Sequence, residues 1–144
     1  MNYEKEERQK AVAFMELKHE GQYRRDGVTP YKVHPLRVAE KAEKRAGGNS
    51  FAVYRIGLFH DLLEDTETTL FELRVMGLTD YEIEALKLLT KDKYDDYGDY
   101  IEAISHNAYA RSVKIADILD NLGDNPTDKA AIKYAKALLV LLRA

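Results

Sequence analysis

The sequence has no cysteine, which excludes disulfides, cysteine-ligated zinc, iron–sulfur clusters and thiol catalysis. It has no long apolar run either. The longest strongly apolar stretch, Ala137-Leu-Leu-Val-Leu-Leu142, is too short to span a bilayer, and Met1-Asn-Tyr-Glu-Lys-Glu-Glu-Arg8 carries no apolar core of a signal peptide. These absences predict a cytoplasmic protein with no membrane role. Proline is confined to Pro30, Pro35 and Pro126, and no convincing alternating strand is found. Repeats, low-complexity tracts and linkers are also missing, so 144 residues read as one domain, 1–144, long enough to bury a core without a covalent or metal staple.

What is present is helical periodicity. A first helix is expected over about Tyr3 to Lys18, with acids in its first turn. The ordered loop HEGQYRRDGVTPYKVHP follows at 19–35, then a helix from about Pro35 to Arg45 that ends at Gly47-Gly48. Asn49 or Ser50 can cap a third helix running from Phe51 to Glu64. Thr69-Leu-Phe-Glu72 and Thr79-Asp-Tyr-Glu82 both match the capping box, in which Thr and Glu side chains satisfy backbone donors at a helix start. Further helices are expected at about 97–105, 108–122 and 127–143. The fold class predicted is an all-α bundle of about seven or eight helices.

Net charge is −3, which argues against general nucleic-acid binding, but it is unevenly spread. Lys18 to Arg45 holds eight Lys/Arg against four acids, whereas Asp61 to Glu102 holds thirteen acids against four bases. A solvated surface with drifting composition explains this more simply than two facing walls of opposite charge.

FHDLLEDT, residues 59–66, concentrates a histidine and three acids directly after an apolar run. With about 100° per residue and Phe59 at 0°, Leu62 falls near 300° and Leu63 near 40°, while His60, Asp61, Glu64 and Asp65 fall between about 100° and 240°. A wet helix face would explain that alone. The preceding turns, however, place Val53, Tyr54 and Gly57 on the same arc, so His60 and Asp61 stand where the helix enters the core. Carboxylates there need a partner, and a metal ion is one. Among the other histidines, His34 sits in Pro30-Tyr-Lys-Val-His-Pro35, held between two prolines. A late acid, Asp117, lies in the apolar stretch Val113-Lys-Ile-Ala-Asp-Ile-Leu-Asp120, and is a better candidate than Asp120. Each of these residues alone reads more readily as structural. Together, two imidazoles and two carboxylates would neutralise a divalent ion, and mixed N/O ligation suits manganese, iron, cobalt or zinc rather than calcium.

These blocks resemble the HD-domain phosphohydrolases, in particular the RelA/SpoT-type alarmone hydrolase domain and its small single-domain relatives. The similar segments are Ala11-Val-Ala-Phe14, His19-Glu-Gly-Gln22, Arg24-Arg-Asp-Gly27, Pro30-Tyr31 with His34-Pro35, His60-Asp-Leu-Leu-Glu-Asp-Thr66, Leu89-Thr-Lys91, and Val113 to Asp117 with Asn121. They occur in the family's order over about residues 10–122. The resemblance implies one divalent ion, typically manganese, on His34, His60, Asp61 and Asp117. It implies water activation and proton handling by Glu64 and Asp65, each i+4 from a metal ligand, and a purine-nucleotide substrate contacted by Arg24, Arg25 and Asn121. Tyr31, Lys32 and Lys114 are further candidate contacts. The implied reaction is release of pyrophosphate from the 3′ position of guanosine tetra- or pentaphosphate, leaving GDP or GTP.

Three features depart from the family pattern. Ile118 and Asp120 stand where Arg and His are common, Arg25 replaces a frequent Lys, and the chain stops at Ala144, which implies a hydrolase-only form. The first departure leaves other nucleotides open as substrates, and a non-catalytic nucleotide-binding module is the remaining alternative. The apolar segment Ala137–Leu142 could join the core or form a homo-oligomer surface.

Overall fold

The computed structural model describes residues 2–91 and 96–144, and those residues form nine α-helices with no strand. They are α1 (Asn2–Lys18), α2 (Val33–Arg45), α3 (Phe51–Phe59), α4 (Leu62–Asp65), α5 (Leu70–Val75), α6 (Asp80–Leu89), α7 (Tyr97–Ser105), α8 (Ala108–Leu122) and α9 (Asp128–Arg143). None is long and apolar enough to cross a membrane. The expected helical bundle is therefore present, and the sequence explains most of its boundaries. Ser50, not Asn49, caps α3 by accepting from the Val53 N–H. Thr69 and Thr79 form the two expected capping boxes with Glu72 and Glu82. Glu82 does more than cap, since it also accepts two bonds from Arg55 at 2.9 and 2.8 Å and so ties α3 to α6 across a buried contact.

The expected third helix, Phe51 to Glu64, is two helices. His60 and Asp61 form a turn between α3 and the short α4. The Gly57 carbonyl, which a continuing helix would offer to the Asp61 N–H, accepts the His60 ring nitrogen at 2.7 Å. Apolar periodicity runs through the break because Phe59 and Leu62 both remain fully buried, so the pattern gives no warning of it.

α3 lies at the centre, packed against α1, α2, α6 and α8, while α9 covers α7 and α8. Its Ile56, Leu58 and Phe59 are fully buried with Met15 of α1, Val38 of α2, Leu86 of α6 and Ile118 of α8. Each such side chain contributes about 1.5–3 kcal/mol through burial. Of the apolar C-terminal segment, Ala137 and Leu141 enter the core and Leu139 and Leu142 stay exposed.

Gly57 sets how closely α2 and α3 approach. A Cβ there would stand 2.7 Å from the Ala39 Cα and 3.0 Å from its nitrogen, both backbone atoms that cannot swing aside. Gly57→Ala should therefore force the helices apart and destabilise the protein by about 1–3 kcal/mol, read as a lower thermal midpoint.

The 19–32 loop is pinned by an isolated bridge between Tyr23 and Pro30. Its turn is closed by Asp26, which accepts from the Thr29 hydroxyl at 2.6 Å and from the Val28 and Thr29 N–H groups. Those donors hold the Asp26 carboxyl down to about 2. Gly27, at φ +72°, supplies the left-handed residue that the turn requires. The loop thereby returns Tyr31 and His34 to the bundle interior.

Candidate metal centre and adjoining cavity

Four side chains converge where α2, the α3–α4 turn and α8 meet. His34 Nε2 lies 2.8 Å from Asp117 Oδ1, and His60 Nε2 lies 3.3 Å from the same oxygen. Asp61 Oδ2 stands 3.1 Å from His60 Nε2 and 3.9 Å from His34 Nε2. His34, His60 and Asp117 are buried and offer ligand atoms within 4.8 Å of one another. His60 Nε2 has no hydrogen bond although two carboxylate oxygens are near, as suits a nitrogen aimed at a point shared with them. This donor set, two imidazoles and two carboxylates, fits a divalent transition-metal ion.

Each imidazole is oriented from behind. His60 Nδ1 donates to the Gly57 carbonyl, and His34 Nδ1 donates to Asp120 Oδ2 at 2.7 Å, which leaves both Nε2 atoms facing the cluster. Asp120, one of the departures from the family pattern, is thus a support for His34. It is itself held by Arg37 Nε at 2.7 Å and Lys41 Nζ at 3.3 Å. Asp61 accepts the Tyr31 hydroxyl, and the Tyr31 ring is packed between His19 and His34 with centroids at 4.8 and 5.7 Å. Outer partners of this kind typically change metal affinity by about 10–100-fold. Asp120→Ala should weaken binding of a divalent metal ion by about that factor in a calorimetric titration, and Asp120→Asn, which keeps an acceptor, should weaken it less.

Electrostatics favour charged forms at the centre. Burial opposes a charged His34 or His60, but the facing carboxylates outweigh it and both rings titrate above their ordinary value. Burial likewise opposes the Asp117 charge, and Lys114 and His60 reverse that, holding the carboxyl well below its usual range. Asp61 is lowered in the same way by His60. The protons on these imidazoles are those that a bound ion would displace.

The two neighbouring acids differ. Glu64 accepts the Lys91 backbone N–H. Asp65 is exposed, and its carboxyl is pushed up to about 6 by desolvation and by the negative charges of Asp61 and Glu64.

The expected nucleotide contacts fall in three places. Arg24 and Asn121 join each other: Arg24 donates to Asn121 Oδ1 at 3.1 Å and pairs with Asp124 at 2.9 Å, while Asn121 Nδ2 reaches Asp117 Oδ1 at 3.3 Å. Arg25 is exposed and donates to the Asp124 carbonyl. Lys32 pairs with Glu16 at 3.2 Å and lines a different surface pocket, away from the cluster. Lys114 lies inside, 2.9 Å from Asp117 Oδ2. His106, by contrast, is a surface residue paired with Glu102. A cavity of about 140 Å³ opens beside the cluster, and His60, Asp61 and Glu64 are among the residues that line it. Lys133 and Tyr134 of α9 also line it, and sequence reading did not pick them out because nothing local to α9 marks them.

Over 122 residues the chain is 35% identical to the guanosine-3′,5′-bis(diphosphate) 3′-pyrophosphohydrolase MESH1 of Mus musculus, covering 79% of this chain and 66% of that protein. The chain belongs to the HD-domain phosphohydrolase family. The Homo sapiens MESH1 is similar to the same extent. The guanosine-3′,5′-bis(diphosphate) 3′-pyrophosphohydrolase of Aquifex aeolicus is 34% identical over 128 residues, which are 81% of this chain and 17% of that protein. This HD domain thus spans 66% of the length of the MESH1 proteins and a much smaller part of the Aquifex one. No family model matches it. Among solved structures, one described as a metazoan ortholog of SpoT that hydrolyzes ppGpp superposes with a TM-score of 0.80 at 24% identity, over 94% of this chain and 85% of that one. That likeness shows the shared HD fold.

Proposed function

We propose that this HD domain is a manganese-dependent hydrolase that removes pyrophosphate from the 3′ position of guanosine 3′,5′-bis(diphosphate), leaving GDP, and from the pentaphosphate, leaving GTP. The observation that carries the proposal is the convergence of His34 Nε2, His60 Nε2, Asp61 Oδ2 and Asp117 Oδ1 beside an open cavity. The relatives' activity supports the choice of substrate. A divalent ion held by these four residues would lower the pKa of water and offset charge developing on the phosphate. In the reaction, a water oxygen bonds to the inner phosphorus of the 3′ diphosphate and the bond from that phosphorus to the 3′ oxygen breaks. The 3′ oxygen takes up a proton, and pyrophosphate and GDP separate.

Asp65, with a carboxyl near 6, is suited to take and return a proton close to neutral pH. Glu64, fixed by the Lys91 N–H, holds its carboxylate at the cavity edge. Arg24 braces the loop against α8, and the exposed Arg25, held among the described residues only by its bond to the Asp124 carbonyl, can turn its guanidinium plane to the purine. The departures in the last block do not touch the cavity lining, since Ile118 is fully buried in the apolar core and Asp120 stands behind His34.

The test is a nucleotide panel assayed with manganese. Pyrophosphate should appear from guanosine 3′,5′-bis(diphosphate), stop on chelation and resume when manganese is restored. A manganese-loaded protein that leaves this substrate intact while cleaving other nucleotides would overturn the choice of substrate.

A further inference from the structure

The outer face of α9 takes no part in the chemistry above. With about 100° per residue, Ile132, Ala135, Leu139 and Leu142 share one arc of about 80°, and all four are exposed. Ile132 is 57% exposed, Leu139 52% and Leu142 55%, while Ala137 and Leu141, on the opposite side of the helix, are buried in the bundle. Single apolar residues on a surface are ordinary, but a continuous stripe marks an interaction site. The steps of three, four and three residues along it are those of the a and d positions of a heptad, the seam that receives one further helix.

The two edges of the stripe differ. One meets the half-buried Leu138, which packs on the core. Along the other stand Lys129, Lys136 and Arg143, at successive e positions of the same heptad, all exposed and none with an ion pair among the described residues. A helix laid in the seam sets its own flanking residues beside these cations, so their sign selects the partner. Two copies of α9 paired antiparallel would bring Lys136 against the same residue of the second copy, and Lys129 against its Arg143. Paired parallel, they would set Lys136 and Arg143 over the apolar Ala131 and Leu138 of the second copy. Neither pairing gives the three cations a carboxylate. A helix that lies in a membrane surface favours Trp or Phe on its apolar face, and this stripe holds neither.

We infer that the outer face of α9 is a docking site for an amphipathic helix of another protein, whose apolar seam covers Ile132, Leu139 and Leu142 and whose flank carries acids opposite Lys129, Lys136 and Arg143. None of these residues lines the cavity at the metal centre, so the inference stands apart from the hydrolase reading.

The test uses two synthetic helical peptides of about three heptads with leucine at every a and d position, one carrying glutamate and the other lysine at the e and g positions. Binding of each to the full chain is measured by calorimetry at low salt. The glutamate peptide is expected to bind at least about tenfold tighter than the lysine peptide. Leu139→Ser should weaken the glutamate peptide at least about tenfold, the loss expected when one buried leucine is removed from the seam. Combined Lys129→Glu, Lys136→Glu and Arg143→Glu should reverse the preference, so that the lysine peptide binds the tighter. All these positions are exposed, and equal thermal midpoints verify that the fold is intact. No binding of the glutamate peptide, or equal binding of the two peptides, would overturn the inference. So would a wild type that sediments as a dimer, or that binds vesicles of phosphatidylcholine and phosphatidylserine, where Leu139→Ser abolishes that association.

Discussion

Asp117→Asn is expected to abolish manganese binding and to lower turnover by about three orders of magnitude or more, the loss that follows when metal-supplied charge stabilisation of several kcal/mol is removed. Asp117 is the residue on which the centre depends most. Its Oδ1 faces His34, His60 and Asn121, and its Oδ2 accepts from Lys114. Asparagine keeps the shape and one acceptor, so the fold should survive, and inductively coupled plasma analysis should find no metal after dialysis. Asp117→Ala separates the two roles. Both variants remove the charge that faces Lys114, but alanine removes the acceptor as well, and stranding one member of a buried ion pair costs about 3–5 kcal/mol, so the alanine variant should lose more thermal stability than the asparagine one. Full metal occupancy in Asp117→Asn would remove this residue from the ligand set.

Asp65→Asn should act in opposite directions on activity and stability. If Asp65 handles the proton as proposed, its loss should lower turnover by about 10²–10⁴-fold. In the metal-free protein the Asp65 carboxyl titrates at about 6 against an ordinary 3.8, so over that interval the folded state binds more protons than the unfolded chain. Stability contributed by this group is therefore present at low pH and lost as pH rises through 6. Asparagine keeps the uncharged form at every pH. Allowing for solvent screening at this exposed position, the variant should gain about 1 kcal/mol at pH 7, or roughly 2–4 °C in thermal midpoint. Melting curves of the chelated proteins should show the gain above pH 6 and none below pH 4. A variant that is less stable than wild type at pH 7 would contradict the electrostatic reading.

The bundle was legible because helix ends are written locally. Thr69 with Glu72 and Thr79 with Glu82 form the capping boxes that their spacing predicts. The break at His60–Asp61 was not legible, because apolar spacing continues from Phe59 to Leu62 and only the side-chain bond to the Gly57 carbonyl marks the turn. Gly57 itself reads as one more small residue in an apolar helix. Its requirement comes from Ala39 on a different helix, a neighbour that no local pattern marks.

At the site, the grouping of His34, His60, Asp61 and Asp117 could be reasoned from charge placed in apolar surroundings, and these side chains do lie together. Asp117 faces the Nε2 atoms of both histidines, whereas Asp120 reaches the far nitrogen of His34. The basic loop was harder to read, because a sequence cannot say that Arg24 is engaged by Asn121 and Asp124 while Arg25 stays exposed. Lys133 lies out of reach of any local pattern, because α9 meets the cavity only through tertiary packing.

Whether this cluster directs water onto phosphorus is measured most directly by turnover of guanosine 3′,5′-bis(diphosphate) in heavy-oxygen water with manganese, followed by mass analysis of both products. One labelled oxygen should appear in pyrophosphate and none in GDP. Label in the nucleotide, or no pyrophosphate at all from a fully metal-loaded protein, would contradict the account.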